Sequence, residues 1–279
     1  MKKFAIILIF LITLTIIYAR FIGTSGIKIN EYKIVNNDIT EEYHGLKIVH
    51  ITDIHYGSTI NEKRLNSLVN KINQLNPDIV VMTGDLIDER TKYDKEIIIK
   101  SLSNINAKLG KYAISGNHDI PIEDFSEIIE NSGFINLNNT YNLIYNNSNM
   151  PIVISGISSN INDQTELGIK TEKFDNYIAS ITEDNKPLFS ILLIHEPDYI
   201  DKLDINRYNL VLAGHSHGGQ VRIPIIEKIY IPNGAKKYFD KYYKIENTEL
   251  FVSNGIGTSG PKFRLFSRPS INFYRLTNK

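Results

Sequence analysis

Short apolar runs recur along the chain, each closed by Gly, Asp, Asn or His, and segments with apolar residues at helical spacing lie between them. Residues 46–52 form the first clear run, which predicts a strand buried on both faces of a mostly parallel sheet. Thr59, Ile60, Asn61 and Glu62 then read as a capping box. Leu65, Leu68, Val69, Ile72 and Leu75 follow as one helix face, stopped by Asn76 and Pro77. Residues 79–83 give the next strand, so strand, helix and strand make a right-handed βαβ unit. The pattern repeats in a helix over 95–106, a strand over 111–115, and a short helix from Pro121 through Ile129 that Gly133 caps. Alternation over 134–157, with a turn at 146–149, predicts a hairpin in a second sheet. Residues 189–194 and 209–213 are again buried strands, and 251–276 reads as strands joined by a Gly-rich connection. A leading strand covers 27–35. The polar stretch 158–188 supports only a helix around 174–181. No internal repeat or linker divides the domain.

Residues 1–22 stand apart. Lys2 and Lys3 precede an apolar run from Phe4 to Ile22 broken only by Thr13, Thr15, Tyr18 and Arg20. As a helix it spans roughly 28 Å, near the hydrocarbon thickness of a bilayer. It reads as a single-pass anchor through residues 4–22, with a cleaved signal peptide as the alternative; an A-x-A-like cleavage site is missing. Lys2 and Lys3 favour an N-terminus in the cytoplasm and the following domain outside it, with Arg20 and Lys28 weighing the other way. The chain thus divides into an anchor (1–22), a connecting strand region (23–45) and one domain (46–279).

Composition narrows the chemistry. Hydrophobic residues at 42% and charged residues at 22% are those of a folded globular protein. Net charge is zero, which removes the general electrostatic case for a nucleic-acid partner. Without cysteine there is no disulfide, thiolate nucleophile or Cys-ligated zinc.

What remains is a constellation at strand ends. The apolar runs close in Asp53 and His55, in Asp85, in Asn117 and His118, in His195, and in His215 and His217. Ligands collect beyond the carboxyl ends of strands in such sheets, and the i, i+2 spacing lets Asp53 and His55 point the same way. Singly, each is an ordinary cap or turn residue. Together they place too many coordinating groups at strand ends for turn chemistry to explain.

These blocks, Asp-x-His, Gly-Asp, Gly-Asn-His-Asp, an isolated His and Gly-His-x-His, resemble the ordered signature of the calcineurin-like metallophosphoesterases, with every ligand position kept. Thr-Asp-Ile-His at 52–55, Thr-Gly-Asp-Leu-Ile-Asp at 83–88, His-Glu-Pro-Asp at 195–198 and the run 212–221 look most like the YaeI/YkuE-like membrane-associated bacterial phosphodiesterase group. The resemblance covers about 46–276. It implies a four-layer α/β/β/α sandwich and a phosphoester hydrolase with two divalent metal ions. Asp53, His55, Asp85 and His217 would hold one metal, and Asp85, Asn117, His195 and His215 the other. That donor set suits Mn²⁺, Fe or Zn²⁺ better than Ca²⁺ or Mg²⁺.

In the same resemblance His118 would serve the leaving oxygen as a catalytic acid, with Asp119 either orienting it or starting the helix before Pro121. Asp198 reads as a helix cap, with support for His195 as the alternative. Arg264 and Arg222 are candidates for binding the substrate phosphate. The implied substrate is a phosphodiester or pyrophosphate, lipid-linked or nucleotide-type, such as UDP-2,3-diacylglucosamine; a phosphomonoesterase or phosphoprotein phosphatase is the alternative, and an inactive metal-binding scaffold a remote one. Aromatic and lysine residues over 230–243, Tyr238, Tyr242 and Tyr243 among them, could face a membrane surface or form an ordinary exposed loop.

Overall fold

Two sheets stacked face to face, with helices outside each, accommodate the apolar strand runs described above, while the run 4–22 forms a separate exposed helix. The computed structural model describes residues 1–159, 167–182, 188–223 and 227–278. In chain order its elements are α1 (Lys2–Ile17), β1 (Lys28–Val35), β2 (Lys47–Ile51), α2 (Glu62–Gln74), β3 (Ile79–Thr83) and α3 (Lys95–Ser103). Then come β4 (Lys111–Ile114), α4 (Phe125–Asn131), β5 (Ile135–Asn136), β6 (Thr140–Ile144), β7 (Ile152–Gly156) and α5 (Leu167–Thr182). The chain finishes with β8 (Ser190–Ile194), β9 (Leu210–Ala213), β10 (Arg222–Ile223), β11 (Glu227–Lys228), β12 (Tyr242–Ile245), β13 (Thr248–Val252) and β14 (Ser270–Thr277).

The first sheet has the order β1-β14-β2-β3-β4-β5 and the second β12-β13-β9-β8-β7-β6. Within them β2 to β5 run parallel, as do β7, β8, β9 and β13, so their carboxyl ends share one edge. The last strand, β14, lies antiparallel to β2, and β1 pairs with it in parallel along its whole length. Segment 23–45 therefore contributes the edge strand of the first sheet. Three apolar layers follow from strand alternation. Val49, Ile51, Val80 and Met82 pack outward on α2, α3 and α4; Ile48, Ile79, Val81, Ile191 and Leu212 fill the space between the sheets; Leu192, Val211 and Leu250 face Phe174 and Ile178 of α5. This is the α/β/β/α sandwich expected.

Several boundaries move for local physical reasons. Helix α2 is capped by Asn61, whose side chain accepts from the Arg64 amide, so the box proposed at Thr59 does not form; an Asx cap nearer the first apolar residue wins. Helix α3 stops at Ser103 and α4 starts at Phe125, short of the Asn106 and Pro121 limits. Gly133 does close α4, in a left-handed conformation (φ 79). The 134–157 hairpin is β6 and β7 alone, because Ile135 and Asn136 pair with β4 in the first sheet. The helix read over 174–181 sits inside α5, and residues 160–166 and 183–187, within the same polar stretch, lie outside the described residues. Tyr242 and Tyr243 begin edge strand β12, and Tyr238 is buried with its hydroxyl on Asp201, so these aromatics belong to the fold.

One polar side chain interrupts the layer between the sheets. His50 of β2 is fully buried beside Tyr274, with Nε2 2.8 Å from the Thr83 hydroxyl. Burial pushes its pKa down to about 3. A histidine kept neutral in the fold but free to protonate when unfolded withdraws stability as pH falls below its ordinary value of about 6.5, at up to about 1.4 kcal/mol per pH unit. Urea unfolding with chelator present, compared for the native chain and His50→Gln, is expected to show a shallower loss of stability in the variant between about pH 6 and about pH 4. Equal slopes would mean that His50 does not remain neutral.

Candidate active site

The shared carboxyl edge gathers the tails of five strands: Asp53 and His55 after β2, Asp85 after β3, Asn117 and His118 after β4, His195 after β8, and His215 and His217 after β9. The chain turns sharply at three of these tails, those of β2, β3 and β9, with left-handed backbone at Asp53 (φ 50), His55 (φ 46), Asp85 (φ 54), His215 (φ 65) and His217 (φ 48). For residues with a Cβ such conformations cost on the order of 1 kcal/mol each and gather where function demands them. Gly84 (φ 92) supplies the same turn without that cost and removes bulk, since a Cβ there would collide with the backbone of Gly116 and the ring of His195.

Two clusters meet at one oxygen. In the first, His55 Nε2 lies 3.2 Å from His217 Nε2, which is 3.4 Å from Asp53 Oδ1. In the second, His195 Nε2 is 3.1 Å from His215 Nδ1. Asp85 Oδ2 stands between them, 3.5 Å from His55 Nε2 and 3.3 Å from His195 Nε2. Its other oxygen, Oδ1, accepts the His118 amide at 2.9 Å. His118 approaches the same atoms, its ring edge-on to His55 at 4.8 Å between centroids.

The surroundings fix which nitrogens face inward. A carbonyl can only accept, so His195 Nδ1 donates to Thr83 O at 2.6 Å and His215 Nε2 donates to Asn233 O at 2.8 Å. The remaining nitrogen of each ring points at the cluster. Thr52 Oγ1 donates to Asp53 Oδ2, the His215 amide donates to both Asp53 oxygens, and Oδ1 is the one that faces His217.

The electrostatics are those of a dry, crowded site. Burial pushes Asp53 up to about 7, with the neighbouring Asp85 adding to it and His195 opposing. Burial also drives His55 down to about 4, His215 to about 3 and His217 well below its usual range. Asp85 and His195 go the other way. Burial opposes the charge of each, yet their mutual attraction holds the carboxyl well below and the imidazole well above their ordinary values.

The donor set fits divalent cations. Edges of 3.1–3.2 Å between imidazole nitrogens and 3.3–3.5 Å between nitrogen and carboxylate oxygen are those of a coordination shell with bonds of about 2.1 Å. Asn117 Oδ1 is buried without a hydrogen-bond partner. A buried carbonyl oxygen left bare in this way is the kind of atom a cation satisfies.

Other expected site residues land elsewhere in the network. Asp119 does not touch the His118 ring. Its carboxylate accepts from the Leu86, Ile87 and Gly116 amides, binding the tail of β3 to that of β4. The expected orienting partner is replaced by Glu89, 3.6 Å from His118 Nδ1, and by Ser259, whose hydroxyl is 3.3 Å from Nε2. Neither was legible as a site residue, because each comes from a loop without strand-end patterning. Asp198 accepts from the Lys236, Lys237 and Tyr238 amides and so secures the loop that carries Asn233.

Arg264 is not placed for substrate. It is completely buried, and its guanidinium donates to the carbonyls of Gly257, Asn254 and Ser267, with Nη2 3.2 Å from His217 Nδ1. With its donors spent on backbone carbonyls, it holds the 254–267 loop around His217. Arg222 is half-buried, with its guanidinium turned to the Gly218 carbonyl and to Asp240.

Replacing Asp119 with alanine leaves three buried amides without an acceptor. At about 1 kcal/mol or more for each, Asp119→Ala is expected to cost at least about 3 kcal/mol in urea unfolding. A loss under about 1 kcal/mol would show that the tails of β3 and β4 do not depend on this carboxylate.

Comparison with known proteins agrees with this geometry. The family model for calcineurin-like phosphoesterases matches residues 46–219. Metallophosphoesterase YkuE of Bacillus subtilis is 30% identical over 93% of this chain and 88% of its own length. A metallophosphoesterase of Campylobacter jejuni is 31% identical over 95% of this chain and 67% of its own. A transmembrane protein with metallophosphoesterase domain from Danio rerio is 30% identical over 88% of this chain, which spans 56% of that relative. The chain belongs to the calcineurin-like phosphoesterases and is a hydrolase of that family.

Proposed function

We propose that this hydrolase is membrane-anchored and cleaves phosphodiester or pyrophosphate bonds with two divalent cations that share Asp85. The observation that carries the reading is the position of Asp85 Oδ2, within 3.5 Å of one imidazole from each cluster. Asp53, His55, Asp85 and His217 would hold one cation, and Asp85, Asn117, His195 and His215 the other. Imidazole, carboxylate and carboxamide together suit Mn²⁺, Fe or Zn²⁺. When bound, such a pair supplies Lewis-acid charge to phosphoryl oxygens and makes a water nucleophilic near neutral pH.

The chain's own groups do the rest. His118, partly exposed next to the clusters, gives a proton to the leaving oxygen. Ser259 contacts its Nε2, the Glu89 carboxylate approaches Nδ1 to 3.6 Å without a hydrogen bond, and the Asp85 contact to its amide fixes its backbone. Arg264 positions His217 from behind, and Arg222 is the remaining candidate for a substrate phosphate. The helical run Lys2–Ile22 is long and apolar enough to cross a membrane. It supports an anchored enzyme; Lys2 and Lys3 at its head favour a catalytic domain outside the cytoplasm, and the substrate in this reading is lipid-linked or nucleotide-type, of the UDP-2,3-diacylglucosamine kind.

Steady-state hydrolysis with Mn²⁺ tests this. Bis-p-nitrophenyl phosphate is expected to turn over faster than p-nitrophenyl phosphate, and the reverse order would favour a monoesterase. Asp85→Asn is expected to lower kcat by about 10³ with loss of bound metal. His118→Ala is expected to lower kcat by about 10² for an alkyl leaving group and by much less for p-nitrophenolate, which departs unaided. Equal losses for both leaving groups would remove His118 from the acid role.

A further inference from the structure

The sheet topology brings the anchor to the catalytic edge. Strand β14 leaves that edge antiparallel to β2, and β1 runs parallel to β14, so the chain enters β1 from the same edge where the β2, β3 and β4 tails converge. The last turn of the apolar helix, Tyr18–Ile22, is joined to the site loop directly: the Arg264 amide donates to Ala19 O at 2.9 Å, and Gly23 packs so tightly on the Arg264 carbonyl that a Cβ would not fit. The same Arg264 side chain lies against His217.

From there a continuous strip of backbone leads outward. The Leu265 amide donates to Gln220 O and the Arg222 amide to Leu265 O, while β10 pairs with β11, which leads into Ile229 and Tyr230. This strip shows water a set of large apolar side chains that the fold does not use. Phe21 is 63% exposed, Ile229 60%, Tyr230 71% and Phe266 67%. Phe266 also holds a left-handed backbone (φ 54), an unfavourable conformation for a bulky aromatic residue. Arg20, Lys262 and Arg268 stand on the same segments, and Lys262 and Arg268 are exposed. Apolar tips with basic neighbours are the pattern of a surface resting in the headgroup layer of an anionic bilayer.

We infer that Ile229, Tyr230 and Phe266, continuing the apolar surface from Phe21 at the end of the anchor, form a second membrane contact, which lays the catalytic edge on the bilayer that the anchor enters. The inference rests on the anchored reading and deepens it: the substrate class is a phosphoester in the headgroup region, reached without leaving the membrane plane. A helix tether alone would leave the domain free to tumble. A helix whose last turn is hydrogen-bonded to the His217 loop, continued by an apolar strip, sets one orientation. The partner is the lipid surface itself, because the strip is continuous with the segment that enters it.

The chain contains no tryptophan, so a single introduced indole reports its own surroundings. Phe266→Trp and Tyr230→Trp, each in the full-length chain reconstituted into vesicles of phosphatidylethanolamine and phosphatidylglycerol, are compared with Tyr145→Trp. Tyr145 is 53% exposed and follows β6 at the opposite edge of the second sheet. Brominated phospholipid is expected to quench the first two by about half or more and leave the third nearly unchanged. Turnover of bis-p-nitrophenyl phosphate by each variant, expected within about a factor of two of the native chain, reports that the fold is intact. Equal quenching at all three positions, or none at 266 and 230, would overturn the proposal. The readout needs no catalysis, so it stands apart from any failure of the hydrolytic reading. Quenching absent at 266 and 230 but protection of both from iodide in a self-associated chain would assign the strip to a second copy instead and equally overturn it.

Discussion

Carboxylates and imidazoles held out of water at one sheet edge are the constraint on which this structure turns. Asp53, Asp85, His55 and His195 are all buried, and a charge in such surroundings is costly unless paired. Within the protein, only Asp85 and His195 settle the matter between themselves. Asp53 is pushed toward its neutral form, three histidines are kept neutral, and Asn117 Oδ1 has no partner. Two cations would complete what the side chains leave open. The left-handed backbone at five of the cluster residues is the conformational cost of aiming them at one point.

That cost is sustained by the layers around it. Largely apolar strands on both sides of the intersheet space fix the height and spacing of the five tails. Asp119 ties two of them together, Thr83 and Asn233 set two histidine rings through their carbonyls, and Arg264 braces a third from behind. None of these groups faces the reacting atoms. Their contribution is to remove the freedom that would otherwise let the ligands drift apart.

Much of this was legible in the residues alone, and the reason differs by element. Strand positions followed from apolar runs too short to be helices, and the metal-competent tails followed from the Asp, Asn and His residues that close them. Boundaries failed where caps competed, as at Asn61. Side-chain roles failed where the answer depended on direction: Arg264 reads as a surface phosphate binder but turns inward to backbone carbonyls, and Asp119 adjoins His118 in sequence while pointing at amides of another strand. Glu89 and Ser259 carry no pattern at all, because loops that meet only in space leave no periodic trace. The pairing of β1 with β14, over 240 residues apart in number (Lys28 with Ser270), was equally invisible, although it decides which edge the N-terminal apolar helix meets.

The claim that most of this depends on is that two cations sit close enough to share one carboxylate. Electron paramagnetic resonance of the full-length chain loaded with Mn²⁺ measures that directly. Two ions bridged by Asp85 are expected to couple, giving a multiline spectrum with hyperfine spacing about half that of an isolated ion. A six-line spectrum of uncoupled Mn²⁺ at full loading would contradict it.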